Sequence, residues 1–156
     1  MKILGIDPGL TATGYGIIEK HEIAEDTRWG TIWPKKGSTY SKIAEVCTSL
    51  RQVIAEHKPD LAVLEKVFYQ KNIQSLLRSS ELRGAIILTL IDHQIKIAEY
   101  TPAQIKMVTT GNGRASKEQV RYFVERLMVR TKQNISNHAI DALAIAYTGY
   151  RRSRLK

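Results

Sequence analysis

Two short apolar runs in this chain each stop at a carboxylate. KILGI, from Lys2 to Ile6, runs into Asp7, and LAVL, from Leu61 to Leu64, runs into Glu65. Runs of this length, bounded by Gly and Pro, have the size of buried strands and are too short for core helices. A sheet built on two such strands must carry both acids where the strands leave it. A carboxylate there costs free energy unless a hydrogen-bond donor or a cation satisfies it. The chain is thereby limited to folds with charged strand ends, and those ends are where chemistry is to be sought.

The rest of the pattern sets the order of elements. TGYGIIE, Thr13 to Glu19, follows Asp7 after a short turn and predicts a hairpin, and RWGTI, Arg28 to Ile32, completes a meander. WPKKGS, Trp33 to Ser38, reads as a loop. Ile43, Val46, Cys47, Leu50, Val53 and Ile54 recur at helical spacing between Tyr40 and His57, and Pro59 ends that helix. A second helix is expected from Ile73 to Asp92. Its second half is apolar on nearly every side, which suits either a subunit interface or burial within one chain. IKIAEY, Ile95 to Tyr100, alternates as a strand. Thr101 and Pro102 open a short helix, and GNGRA, Gly111 to Ala115, is expected to be a mobile loop. SKEQ, from Ser116, has the capping-box pattern, ahead of a stripe of Val120, Phe123, Val124, Leu127 and Met128. A last helix begins near Ser136 and carries HAIDALAIA. The prediction is one α/β domain over residues 1–150, a mixed five-stranded sheet flanked by helices, with a frayed basic tail at 151–156.

Charge narrows the partners. The 24 Lys and Arg against 15 Asp and Glu leave a formal net charge of +9, which favours a polyanion such as nucleic acid. Cys47 is the only cysteine, so neither an intramolecular disulfide nor a cysteine-cluster zinc site can form. The N-terminus lacks the pattern of a signal peptide, and AIILTLI, Ala85 to Ile91, is too short to span a bilayer. The expectation is a cytoplasmic protein without membrane contact.

Of the five aspartates, Asp26, Asp60 and Asp92 fall in solvated positions, whereas Asp7 and Asp141 have apolar or small neighbours. Glu65 resembles the latter two. His138 and Asp141 are three residues apart and share one helix face. If the first and fourth strands are neighbours, Asp7 and Glu65 emerge side by side. Three convergent carboxylates need a cation between them, and hard oxygen ligands with room for water suit Mg²⁺. A pair of such ions is the phosphodiester-cleaving arrangement. The competing reading gives Asp7 to the turn at Pro8 and Gly9 and Asp141 to a salt bridge with a lysine. His138 reads as a ligand or a base, and imidazole would widen metal choice toward Mn²⁺. Lys106, Arg114, Lys117 and Arg121 form either a phosphate-binding rim or a solvated basic face. Phe68 is a core anchor or an exposed stacking platform.

GIDPG from Gly5, TGYG from Thr13, EKVFYQKN from Glu65, the pair Arg83 and Gly84, and HAIDALAIA from His138 together resemble the RuvC family of bacterial Holliday-junction resolvases. The resemblance runs in order from residue 3 to about residue 148. It implies an RNase H-like fold, a homodimer, and paired symmetric nicks in four-way junction DNA during recombination and repair. It implies two Mg²⁺ per active site, with Mn²⁺ able to substitute, and work beside the RuvA and RuvB branch-migration complex. Asp7, Glu65 and Asp141 fall on the family's metal-binding carboxylates, Asp7 between the two ions. His138 falls on a fourth position that is aspartate in some members. Phe68 matches an aromatic that engages the junction centre, and Lys106 and Lys117 match basic residues near the DNA. Lys71 and Asn72 match the motif with a less defined DNA-contacting role.

Three other functions compete. An ATP-using enzyme of the actin and sugar-kinase kind also has an early DxG, but it needs two lobes, and 156 residues are few for that. A nuclease-like domain that binds DNA without cutting it would not need an intact acidic set. A related nuclease acting on another RNA or DNA would share every feature above except the junction.

Overall fold

The structure, a computed structural model, describes residues 1–19, 27–67, 72–129 and 134–153. The chain forms β1 (Lys2–Asp7), β2 (Thr13–Glu19), β3 (Arg28–Ile32), α1 (Thr39–His57), β4 (Leu61–Glu65), α2 (Ile73–Asp92), β5 (Lys96–Tyr100), α3 (Pro102–Thr110), α4 (Lys117–Met128) and α5 (Asn137–Ser153). The five strands make one mixed sheet in the order β3-β2-β1-β4-β5. The meander pairs antiparallel, while β4 joins β1 and β5 joins β4 in parallel.

Period-two alternation divides the core. Ile3, Ile18 and Val63 point to one face, where α3, α4 and α5 pack. Leu4, Ile6, Ile17, Ala62 and Leu64 point to the other, against α1 and α2. Cys47 is buried on that second side, as its helical position predicts. The predicted capping box is present, with Ser116 Oγ accepting from Gln119 N and Gln119 Oε1 accepting from Ser116 N. Thr101 and Gln104 make a second box at the start of α3.

GNGRA is a turn between α3 and α4: Asn112 Oδ1 accepts from Arg114 N, and Asn112 O accepts from the N–H of buried Ala115. Two expectations need correction. Residues 151–153 continue α5 instead of starting a tail. The Arg151 guanidinium lies over the Tyr147 ring, 5.9 Å from its centroid, and cations at a helix C-terminus are favoured by its dipole. In α4 only Val120, Val124 and Met128 of the predicted stripe are buried, and Phe123 and Leu127 face outward. For α2, the described residues bury only part of the helix. Ile73, Leu77, Leu88 and Ile91 are all more than half exposed. Asp26, at a predicted turn, lies outside the described residues, as does 154–156 of the predicted tail. Among the described residues no helix is long and apolar enough to cross a membrane.

Candidate active site

Asp7 and Glu65 end adjacent parallel strands, with Ile6 opposite Leu64, so the two acids leave the sheet side by side. Strand parity turns both toward the face that carries α5, since Asp7 follows Ile3 and Gly5 by twos and Glu65 follows Val63. α5 brings the third acid. It lies so close to the sheet that a Cβ on Gly5 would collide with the carbonyl oxygen of Ala142, and one on Gly14 with that of His138. Glycine inside a strand marks such an approach of another backbone. That signal stands in the GIDPG and TGYG stretches, and the sequence reading did not use it.

Asp7, Glu65, Asp141, Lys106 and Lys117 line one cavity of about 320 Å³, floored by Ile105, Val120, Ala144 and Ile145. Burial raises the pKa of Asp7 above its ordinary value, the hydrogen bond from His138 opposes the rise, and the charge of Asp141 adds to it. Burial also raises Glu65, with further repulsion from Asp7 and Asp141, against which Lys106 and Lys117 act. Asp141 is raised by burial and relieved by Lys117 and His138. Three acids held above their ordinary range by desolvation, in one pocket, mark a functional site more often than a structural one. The alternative in which Asp7 merely caps its turn fails. The turn is closed by Thr13, whose Oγ1 donates to Gly9 O (2.9 Å) and accepts from Gly9 N (3.2 Å).

His138 Nδ1–H donates to Asp7 Oδ2 at 2.9 Å, so the imidazole orients Asp7 directly. Among the described residues no three His, Cys, Asp or Glu side chains close around a single metal position. The acids instead face a shared cavity, and an all-oxygen set with room left for water and phosphate fits Mg²⁺.

The remaining predicted residues divide. Lys106 and Lys117 stand at the acids, and exposed Arg114 lies on the turn before α4. Arg121 is committed inside the protein: Nε pairs with Glu125 (2.8 Å), and the terminal nitrogens donate to Asn137 Oδ1 (2.7 Å) and Ile135 O (2.9 Å). It ties α4 to the start of α5, and it lines a second, smaller pocket with Lys117 and Asp141. Asn72 caps α2, its Oδ1 accepting from Ser75 N. Phe68 and Lys71 lie outside the described residues. Arg83, quoted above only as part of a motif, proves to brace the site. It donates from Nη1 to the backbone carbonyl of Glu65 (2.8 Å) and pairs through Nη2 with Glu99.

The family model described as crossover junction endodeoxyribonuclease RuvC matches residues 3–149. The chain belongs to the RuvC family. The RuvC of Janthinobacterium sp. (strain Marseille) is 41% identical over 151 residues, covering 94% of this chain and 81% of that one. The RuvC of Chloroherpeton thalassium is 37% identical over 155 residues, covering 98% and 83%. Thermus thermophilus RuvC superposes with a TM-score of 0.86 at 22% identity, covering 99% of this chain and 96% of that one. The same protein in complex with a Holliday junction substrate gives 0.88 at 23%, with the same coverage. The RNase H-like sheet is thus shared with RuvC, and the chain is an endodeoxyribonuclease by its family.

Proposed function

We propose that this RuvC-family enzyme resolves four-way DNA junctions as a homodimer, nicking two strands of like polarity at symmetric positions. The observation that carries this reading is the convergence of Asp7, Glu65 and Asp141, from two strand ends and a helix, on one cavity rimmed by Lys106 and Lys117. Asp7, Glu65 and Asp141 would hold two divalent ions, Mg²⁺ with Mn²⁺ able to replace it. When bound, the ions supply a more acidic water and charge stabilisation for the departing oxygen.

The chain's own residues do the rest. Lys106 and Lys117 hold the phosphate against the acids and offset their mutual repulsion. His138 fixes the Asp7 carboxylate, in the manner of outer partners that orient a metal-binding group. Hydrolysis adds the water oxygen to phosphorus and breaks the bond to O3′, leaving 5′-phosphate and 3′-hydroxyl ends. Arg114 extends the basic rim along the backbone, and Phe68, Lys71 and Asn72 are assigned to the junction by the family motif alone. The exposed apolar side of α2 supports a two-fold dimer, whose symmetry matches that of the junction. Assembly with the RuvA and RuvB complex and a cytoplasmic site of action follow from the same reading.

Nicking of four-way junction, linear duplex and RNA–DNA hybrid, each in Mg²⁺, tests it. The junction should be cut and the other two spared. Asp7→Asn, Glu65→Gln or Asp141→Asn should abolish nicking and preserve junction binding. Wild-type rates in Asp7→Asn would refute the two-ion assignment. His138→Ala should lose about 10–100-fold in activity, and His138→Asp, which removes the donor and sets a carboxylate against Asp7, should lose at least as much.

A further inference from the structure

Trp33 is a large apolar side chain, 61% exposed, at the edge of the site and without a part in the reaction so far described. Strand register explains its position. Asp7 pairs with Gly14 and Gly14 with Thr31, so Trp33 leaves the sheet two residues past Thr31, at the end where the acids emerge. It lies two strands from β1, on the order of 10 Å at the spacing of paired strands. Its ring meets His138 edge to face, with centroids 6.4 Å apart and planes at 87°.

The surroundings hold it in place. Thr31 Oγ1 and Ser136 Oγ are hydrogen-bonded at 2.6 Å, and Ser136 Oγ also accepts from Ala139 N, which locks the end of β3 to the first turn of α5. Two residues beyond Trp33, Lys35 N donates to Glu45 Oε2 at 2.9 Å and anchors the loop to α1. The result is an aromatic ring fixed at its edge and open at its surface. Pro34, Lys35 and Lys36 follow it, both lysines are exposed, and residues 33–38 contain no acid.

Sheet order makes this loop the counterpart of the proposed rim. Lys106 and Lys117 bound the acids from the β5 side, and Trp33, Lys35 and Lys36 bound them from the β3 side. A DNA strand whose phosphate sits at Asp7 must pass one group on its way in and the other on its way out. An aromatic interleaved with cations is the usual platform for an unstacked base, because every base offers a π-face and every phosphate a charge.

We infer that Trp33 stacks on a nucleobase beside the cleaved phosphate, on the side opposite Lys106 and Lys117, with Lys35 and Lys36 against the flanking backbone. This rests on the junction-cutting reading above, since a base beside a branch point is less firmly stacked than one inside a duplex. It adds a contact that neither the acids nor the helical rim supplies.

Junction binding is measured in Asp7→Asn protein, alone and combined with Trp33→Ala, Trp33→Leu or Trp33→Phe. Trp33→Ala and Trp33→Leu should each weaken binding about tenfold, while Trp33→Phe stays within about threefold. Leucine can still cover His138 but cannot stack. Junction should also quench the tryptophan emission of Asp7→Asn protein, and that quenching should vanish with Trp33→Phe. Unchanged affinity in Trp33→Ala, even with slower nicking in the otherwise wild-type enzyme, would overturn the inference and leave the ring as a brace for His138. If Asp7→Asn binds junction and linear duplex equally, the junction reading falls and the stacking contact with it. Preference for the junction with no effect of Trp33 removes the stacking contact alone.

Discussion

α2 and α5 are long helices that each carry an extended apolar run, and they use that character in opposite ways. α5 is buried on all sides from Ala139 to Tyr150, apart from half-buried Asp141, and sits at backbone contact on strands cleared by Gly5 and Gly14. α2 buries only Leu82, Ile86, Thr89 and Leu90, leaves Ile73, Leu77, Leu88 and Ile91 exposed, and has open space around Gly84. The difference teaches that apolar content does not by itself tell what a helix packs on. α5 satisfies its surface within the chain, and its fixed height above the sheet sets where Asp141 and His138 stand. α2 leaves a surface that a second copy would cover.

The largest effect is expected at the α5 contact. Gly14→Ala puts a methyl group into the His138 carbonyl and must lift the helix. Overpacking of this kind costs about 1–3 kcal/mol in urea unfolding. A displacement near 1 Å at the acids should cut nicking by about a hundredfold. Nicking at the wild-type rate would show that α5 tolerates a different height and would break the comparison. On α2 the expected outcome is the reverse. Leu88→Glu with Ile91→Glu should leave stability within about 0.5 kcal/mol per site, since both are exposed. The same pair should convert dimer to monomer in light scattering, and a wild-type protein that is already monomeric removes the contrast.

A pH experiment sharpens the α5 side. Raised carboxylate pKa values mean that the folded state binds protons more readily than the unfolded one, between the ordinary value and the raised one. Stability of the metal-free enzyme therefore falls as pH rises through that window and stays low above it. With chelator at pH 7.5, Asp7→Asn should melt at a higher temperature than the wild type, and the gap should close as pH falls toward 3.8, the ordinary value for Asp. Added Mg²⁺ should raise the wild-type Tm more than that of the variant. A variant that melts lower at every pH would show that the His138 bond outweighs the burial of charge.

The smallest expected effect compares the helix starts. Asn72→Ala removes the cap of α2 and should cost about 1 kcal/mol. Junction affinity measured alongside separates the cap from a DNA contact: unchanged affinity leaves the cap as its whole role. Ser136→Ala, at the start of α5, should cost about as much and also slow nicking, because the same hydroxyl ties Thr31 and the first turn of the helix that carries His138.

Strand runs, helix spacing and caps were legible in the chain, because each depends on neighbours within a few residues. RWGTI and the span from Ile73 to Asp92 became elements with those bounds, and Ser116 with Gln119 made the cap that their spacing announced. The acids were legible for a related reason: a charge at the end of an apolar run is anomalous wherever the run goes. Their meeting was not, since it needs β1 beside β4 and α5 above both.

Hydrogen-bond partners followed the same divide. Nothing local distinguishes Arg121, which is held by Glu125, Asn137 and Ile135 at a pocket beside Asp141, from Lys117, which lines the cavity of all three acids. Nor could local pattern place Arg83 behind the Glu65 carbonyl or Trp33 against His138. By itself the sequence determined which segments are strands and helices, which carboxylates lack a solvated place, and the family. Tertiary structure alone decided which cations face those carboxylates, which helix face stays open, and how near α5 lies to the sheet. Those contacts join elements distant in the chain, as far apart as Asp7 and His138 at 131 positions, and are chosen by the packing of whole elements rather than by the preferences of any one segment.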